Sequence, residues 1–172
     1  MRAKKQQKTN WRDRGHDDVR ELDSAHKLPA EDIVEAENEI SMALLVLEQH
    51  LGFVELAVEV VTVETPIGAV RIDRTRLEHI VEKRQDARER YVKLALATMR
   101  DPLEVWLVEY EDDDGKEEYR HSYIGVFEGK HHMLVVCAEI EGKILWNFMH
   151  CDGKSLNKHR HGECVYRRPL KK

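Results

Sequence analysis

The sequence predicts an α+β fold: an N-terminal helix and a β-hairpin, then one long helix, then a four-stranded antiparallel sheet. Two blocks of apolar residues recur at helical spacing, with a Val-rich stretch between them that is broken by a turn. Beyond Pro102 the pattern changes to short apolar runs separated by Asp-Gly, Glu-Gly-Lys and Glu-Gly turns. A chain of 172 residues can bury one proper core but not two ordinary domains.

Residues 1–30 are polar and aperiodic and read as a mobile arm, with Trp11 and Leu22 as candidate anchors; residues 31–172 read as a single domain. Asp32 opens a helical pattern of Ile33, Val34, Ile40, Leu44, Leu45, Leu47 and Leu51, which Gly52 closes as a C-cap. Residues 53–63 and 69–72 flank Thr65-Pro66-Ile67-Gly68 and read as a hairpin. Thr75 and Glu78 fit a capping box, so a long helix is expected to run from there to Arg100, where Asp101-Pro102 stops it. Its stripe of Leu77, Ile80, Val81, Tyr91, Ala95 and Thr98 should pack on Val105, Leu107, Val126, Leu134 and Val136 in one core. Arg84 and Arg88 fall on the same stripe. An unpaired charge on a packed seam is costly, so these two should line a cleft or meet carboxylates. The strands are then 105–110, 119–127, 131–140 and 143–149, with a short final one near 164–167.

Charge narrows the function classes. The formal net charge of −5 excludes a general grip on nucleic acid through an overall basic field, so any such site must be local. Acidic residues gather in a run from Glu109 to Glu118, while Lys154, Lys158, Arg160, Arg167, Arg168, Lys171 and Lys172 make the C-terminal end cationic. No apolar run approaches the ~18 residues of a membrane span, and the N-terminus lacks a signal-peptide core, which leads to a cytoplasmic expectation. The three cysteines, Cys137, Cys151 and Cys164, are then expected as reduced thiols.

His79 falls in the first turns of the long helix, where the positive end of the helix dipole disfavours imidazolium and leaves the ring available as a base. Lys83, Arg84 and Arg88 lie within three turns of it, and phosphodiester cleavage needs such cations because charge grows on the nonbridging oxygens.

The segments TPIGAVRID, LEHIVEKRQDARERYVKLALATMRDPLEVW, YIGVFEG, MLVVCAE and ILWNFMH resemble the phage-associated nuclease-like domains of the barnase, EndoU, colicin-nuclease and RelE group, the phage BECR domains, over roughly 63–168. The resemblance implies a sheet of the barnase/RelE-like type within 31–172. It also implies metal-independent, cofactor-free RNA cleavage by attack of the ribose 2′-hydroxyl on its own phosphate. Carried onto this sequence, it makes His79 a general base or acid and Arg88 a phosphate clamp. Arg84 becomes a second clamp where relatives often have His, and Asn147 a hydrogen-bonding group near phosphate or ribose.

The basic, glycine-flanked segment 154–162 reads as an exposed loop. Lys154, Ser155, Lys158, His159 and His161 are its candidate substrate contacts, and either histidine is a candidate second proton carrier. The implied partner is RNA, with tRNA or rRNA as candidates, and a phage structural protein or a cognate inhibitor beside it. Two alternatives stand next to the enzyme. One is a catalytically inactive phage-derived interaction module. The other is a small zinc domain using His150, Cys151, His159, His161 and Cys164, although their spacing is not that of a standard finger. His131 and His132 open a strand and read as solvent-facing.

Overall fold

A computed structural model describes residues 2–3, 9–35, 38–129 and 131–169. Lys171 and Lys172, part of the cationic C-terminal stretch, lie outside the described residues.

The long helix is not continuous. Helix α1 (Ile40–Leu51) begins later than its apolar pattern suggested and ends on Gly52 at φ 95°. Strands β2 (Val60–Thr65) and β3 (Gly68–Asp73) form the hairpin. After the hairpin come helix α2 (Leu77–Val81), a break, a 3₁₀ turn (Arg88–Tyr91) and helix α3 (Val92–Arg100). Ala87 sits at φ 44°, ψ 48°, in the left-handed region. The reason for the break lies in Arg84 and Glu89. Five residues apart on a continuous helix they would face about 140° away from each other. In the broken chain Arg84 instead donates through Nη1 to Glu89 Oε2 (3.1 Å) and to the Val81 carbonyl (3.1 Å), capping α2 and neutralising a fully buried carboxylate. Glu89 is thus the carboxylate that Arg84 meets.

The four-stranded antiparallel sheet is likewise corrected. Strands β4 (Glu104–Glu111), β5 (Glu117–Gly125), β6 (His132–Glu139) and β7 (Lys143–Cys151) run as an antiparallel meander, but they are only the middle of an eight-stranded mixed sheet. The hairpin joins by a parallel pairing of β3 with β7, Val70 opposite Lys143 and Arg71 opposite Ile144. The far edge of β4 is shared by β1 (Arg2–Ala3), opposite Tyr110 and Glu111, and β8 (Glu163–Arg167), opposite Glu104 to Leu107. The outer edge of β4 is therefore paired over most of its length, while β7 is paired with β3 only at its start.

Nor is there one core. The helices bury Leu77, Ile80, Val81, Ala95 and Met99 against Val105, Tyr123, Val135, Cys137 and Phe148 on one face. Trp106, Ile124, Val126 and Leu134 belong to a second cluster on the other face, with Val19 and Leu156. Val126 and Leu134, expected under the helix stripe, belong to that second cluster because side chains alternate across a strand. Leu77 is fully buried, and Leu77→Ala should cost about 2 to 5 kcal/mol in chemical denaturation, by lost transfer energy plus the cavity left behind.

The second cluster is covered by the N-terminal segment and by helix α4 (Gly153–Asn157). As far as it is described, the segment read as an arm lies docked: Trp11 N–H donates to the Arg160 carbonyl (3.0 Å), Leu28 N–H to the Val126 carbonyl (2.8 Å), and Val19 is buried. Beneath it Arg160 and Glu104, both about 1% exposed, form an ion pair at 2.6 Å. Among the described residues no helix is long and apolar enough to cross a membrane.

Candidate active site

Strand β7 carries the centre of the site because its pairing with β6 slips. Val136 faces Asn147 and Cys137 faces Leu145, leaving Trp146 as an extra residue. A bulge re-aims the side chains around it. Arg76 and Arg120 gather at Trp146, and Arg88, from a third element, reaches the next residue, Asn147. Arg76, just before α2, donates through Nε to the Trp146 carbonyl (2.9 Å) and lies 3.6 Å over the Trp146 ring. Arg120, from β5, lies 5.3 Å from both the Trp146 and the Tyr110 rings and pairs with Glu118 at 3.2 Å. Arg88, from the 3₁₀ turn, donates through Nη1 to Asn147 Oδ1 (3.0 Å). Among the described residues no carboxylate lies within 4.0 Å of Arg76. Burial and the Arg120 charge push its pKa below the ordinary guanidinium value, yet it remains a cation at physiological pH.

Arg88 is positioned rather than mobile. It is 9% exposed, its Nη2 pairs with Asp86 Oδ2 (3.1 Å), and its Nε is buried with no hydrogen-bond partner. Such an orphaned donor on a buried cation calls for an explanation, and an anionic group arriving at the site would supply its acceptor. One turn beyond, Tyr91 stacks flat on His150 of β7, with ring centroids 3.9 Å apart and planes 17° apart. His131 closes the group edge-on, 5.4 Å from Tyr91 and 5.7 Å from His150. Burial lowers the His150 pKa, His131 lowers it further, and Asp86 opposes them. Asp86 thus stands in electrostatic reach of His150 while paired with Arg88. The result is a half-buried imidazole held toward its neutral form, stacked on the turn that carries the fixed Arg88 guanidinium.

The other sequence candidates have different surroundings. His79 is exposed on α2 with Glu82 3.7 Å away, its only described polar partner. Arg84 is committed to Glu89 and Val81. The segment read as an open loop folds its first part into α4, where the Asp152 carboxylate accepts from Ser155 N–H (2.7 Å). Lys154, Lys158 and His161 line a pocket with the N-terminal segment, and His159 is half-buried. The structure therefore brings Arg88 and Asn147 together, pairs Arg84 elsewhere, and shows no described contact of His79 with either. His131, His150, Arg76, Arg120 and Trp146 were not recognised from the sequence as active-site residues. The one available signal was the Arg-x-x-Tyr of residues 88–91 beside the Trp-Asn of β7.

The zinc arrangement does not assemble. His150 is stacked on Tyr91, Cys164 Sγ lies 3.3 Å from the Tyr166 carbonyl, and burial pushes the Cys151 thiol up to about 12. Among the described residues no three His, Cys, Asp or Glu side chains are grouped to hold a metal ion.

A family model described as phage-Barnase-EndoU-ColicinE5/D-RelE like nuclease2 matches residues 50–167, about two thirds of the chain. The chain belongs to this family. Comparison with curated proteins and with solved structures gives no match. The matched region of this BECR nuclease-like domain contains all the site residues just described, from Arg76 to His150. Membership points to nuclease chemistry and to a nucleic acid as the substrate.

The BECR domain should also be acid-sensitive. His121, His132, His150 and His159 all have pKa values depressed, in each case chiefly by burial. Each folded value lies below the unfolded one of about 6.5, so between the two the unfolded chain binds more protons and stability rises with pH. Stability is full above about pH 6.5 and is lost as pH falls through that window. The urea midpoint at pH 5.5 should lie below that at pH 7.5; an equal or higher midpoint would show that these rings are charged in the fold.

Proposed function

We propose that this domain is a metal-independent endoribonuclease that cleaves RNA by attack of the ribose 2′-hydroxyl on the adjacent phosphate. The observations that support it best are Arg88, held by Asn147 and Asp86, and His150, stacked on Tyr91 of the same turn and within electrostatic reach of the same Asp86. In this reading the phosphate binds at Arg88, whose unfilled Nε–H gains an acceptor, with Arg76 as the second cation. The neutral His150 ring takes the 2′-hydroxyl proton. The His131 ring, edge-on to His150, returns a proton to the departing 5′-oxygen. As negative charge grows on the nonbridging oxygens, guanidinium groups already in place stabilise it without reorganisation. Asn147 holds Arg88 in orientation. In this reading the proton-transfer role implied for His79 passes to His150, supported by Asp86, which pairs with Arg88 and acts on His150.

The test is incubation of the purified protein with mixed tRNA and rRNA in EDTA, with end-group analysis. Products should end in 2′,3′-cyclic phosphate and 5′-hydroxyl groups, and an all-deoxy substrate of the same sequence should stay intact. Cleavage of the deoxy strand, or cleavage only with an added divalent ion, would refute the 2′-hydroxyl mechanism. No cleavage at all, with RNA still bound, would leave the domain as an interaction module.

A further inference from the structure

A second cationic site is built where the N-terminal segment, outside the family match, closes against α4. A pocket of about 550 Å³ is lined there by Trp11, Arg12, Arg20, Lys154, Lys158 and His161 among others. That is ample volume for a nucleotide unit. Neither Arg88 nor His150 lines it. Its two walls are stapled together by the backbone: Trp11 N–H donates to the Arg160 carbonyl (3.0 Å), Gly162 N–H to the Thr9 carbonyl (2.8 Å), and Asn10 bridges His161.

The cations are arranged, not merely numerous. Arg20 is aimed by Asp18, which accepts from both its Nε (3.1 Å) and its Nη2 (2.7 Å), and Asp18 is itself held by Asn157 Nδ2 (2.9 Å). Arg20 packs so close to the start of α4 that a Cβ at Gly153 would meet its Cγ at 2.6 Å, so the wall requires glycine there. Asp18 and Asp152 act on Arg20, as does Glu21 from its own 3₁₀ turn, and Asp13 accepts from Asn10 N–H (2.9 Å) at the rim. Asp18 is engaged with Arg20 and Asn157, and Asp152 caps Ser155. Among the described residues Arg12, Lys154 and Lys158 have no carboxylate within 4.0 Å. In a chain of net charge −5 this is a local reversal of sign. Trp11 adds an aromatic face: Arg160 lies 5.1 Å from its centroid and exposed Arg12 4.9 Å.

A cationic groove with an aromatic platform is what single-stranded nucleic acid uses, phosphates on the cations and a base on the ring. We propose that this pocket holds single-stranded RNA away from the cut phosphate, with two backbone phosphates on the Arg12, Arg20, Lys154 and Lys158 cations and one base stacked on Trp11 in place of Arg12. The inference rests on the nuclease reading for its choice of ligand, and it makes the N-terminal segment part of substrate binding.

The probe is a fluorescein-labelled, uncleavable 2′-O-methyl uridine 12-mer, followed by anisotropy across a salt series with the full chain. The Lys154→Glu, Lys158→Glu double variant should weaken binding at least about tenfold and flatten the log–log salt slope by about 1.4, the loss of two phosphate contacts on a single strand. Trp11→Ala should weaken it about tenfold with little change in slope. Arg12→Glu, at an exposed side chain, provides a second charge reversal whose fold is checked by circular dichroism. Equal affinity for wild type and all variants overturns the proposal. So does binding to phosphatidylglycerol vesicles with none to the 12-mer. If wild type binds the 12-mer, the variants do not, and no RNA is cleaved in EDTA, the pocket stands and the nuclease reading falls.

Discussion

Glu104→Ala is expected to destabilise the fold by about 3 to 5 kcal/mol, because it leaves the buried Arg160 guanidinium without its counter-charge. Glu104 accepts from Arg160 Nε (2.6 Å) and Nη2 (2.9 Å), from Trp106 Nε1 (3.0 Å), and lies against His16 Nδ1. Burial by itself would raise the Glu104 carboxyl, but the Arg160 bonds and charge, with those from Trp106 and His16, outweigh it and hold the group below the ordinary carboxylate value. Arg160 also donates to the Asp17 carbonyl (2.8 Å) and Asn157 Oδ1 (2.9 Å), so one residue ties β4, the N-terminal segment and the turn after α4 into one network. Denaturant titration should therefore show the lower midpoint, and limited proteolysis should show cleavage near residues 9–28 in the variant but not in the wild type. A loss under about 1 kcal/mol would mean that the pair is solvated. Because the same network seats Trp11, the variant should also bind single-stranded RNA less well.

Arg88→Ala is expected to lower kcat/KM for RNA by about 10² to 10³-fold, the effect of deleting one preorganised donor to a developing anion. Arg88→Lys should recover little of it. An ammonium cannot donate to Asn147 and Asp86 from a planar fork while presenting a further N–H to phosphate. His150→Ala should give a comparable loss, together with the disappearance of the acid limb of the pH–rate profile, since its depressed pKa places the neutral base form above that limb. His79→Ala should leave the rate within a few-fold of wild type, in keeping with its exposed position beside Glu82. Wild-type rates from the Arg88 and His150 variants, with intact melting curves, would move the site away from the β7 bulge.

The sequence by itself determined the local elements whose causes are local. Gly52 terminates α1 in the left-handed conformation, the 65–68 turn folds β2 onto β3, and the short glycine turns order β4 to β7 as neighbours. The family was legible too, in motifs that run from the hairpin to β7. The sequence also offered Arg88 and Asn147, which the fold joins by a hydrogen bond. The helix break was not, because it depends on Arg84 reaching Glu89, and an Arg–Glu spacing of five has no meaning until the backbone has turned at Ala87. The parallel join of β3 to β7 spans about seventy residues, and the β7 bulge shifts register by one residue; neither leaves a periodicity in the chain. Strand β4 is buried on both faces, so its apolar run gives no hint of which residues turn to the helices and which to the N-terminal segment. Tertiary structure alone therefore decided which imidazole meets the turn that carries Arg88. His150 and His131 are separated from it along the chain by whole strands, and only the stack on Tyr91, set by how α3 and its preceding turn dock on the sheet, brings them to the same place.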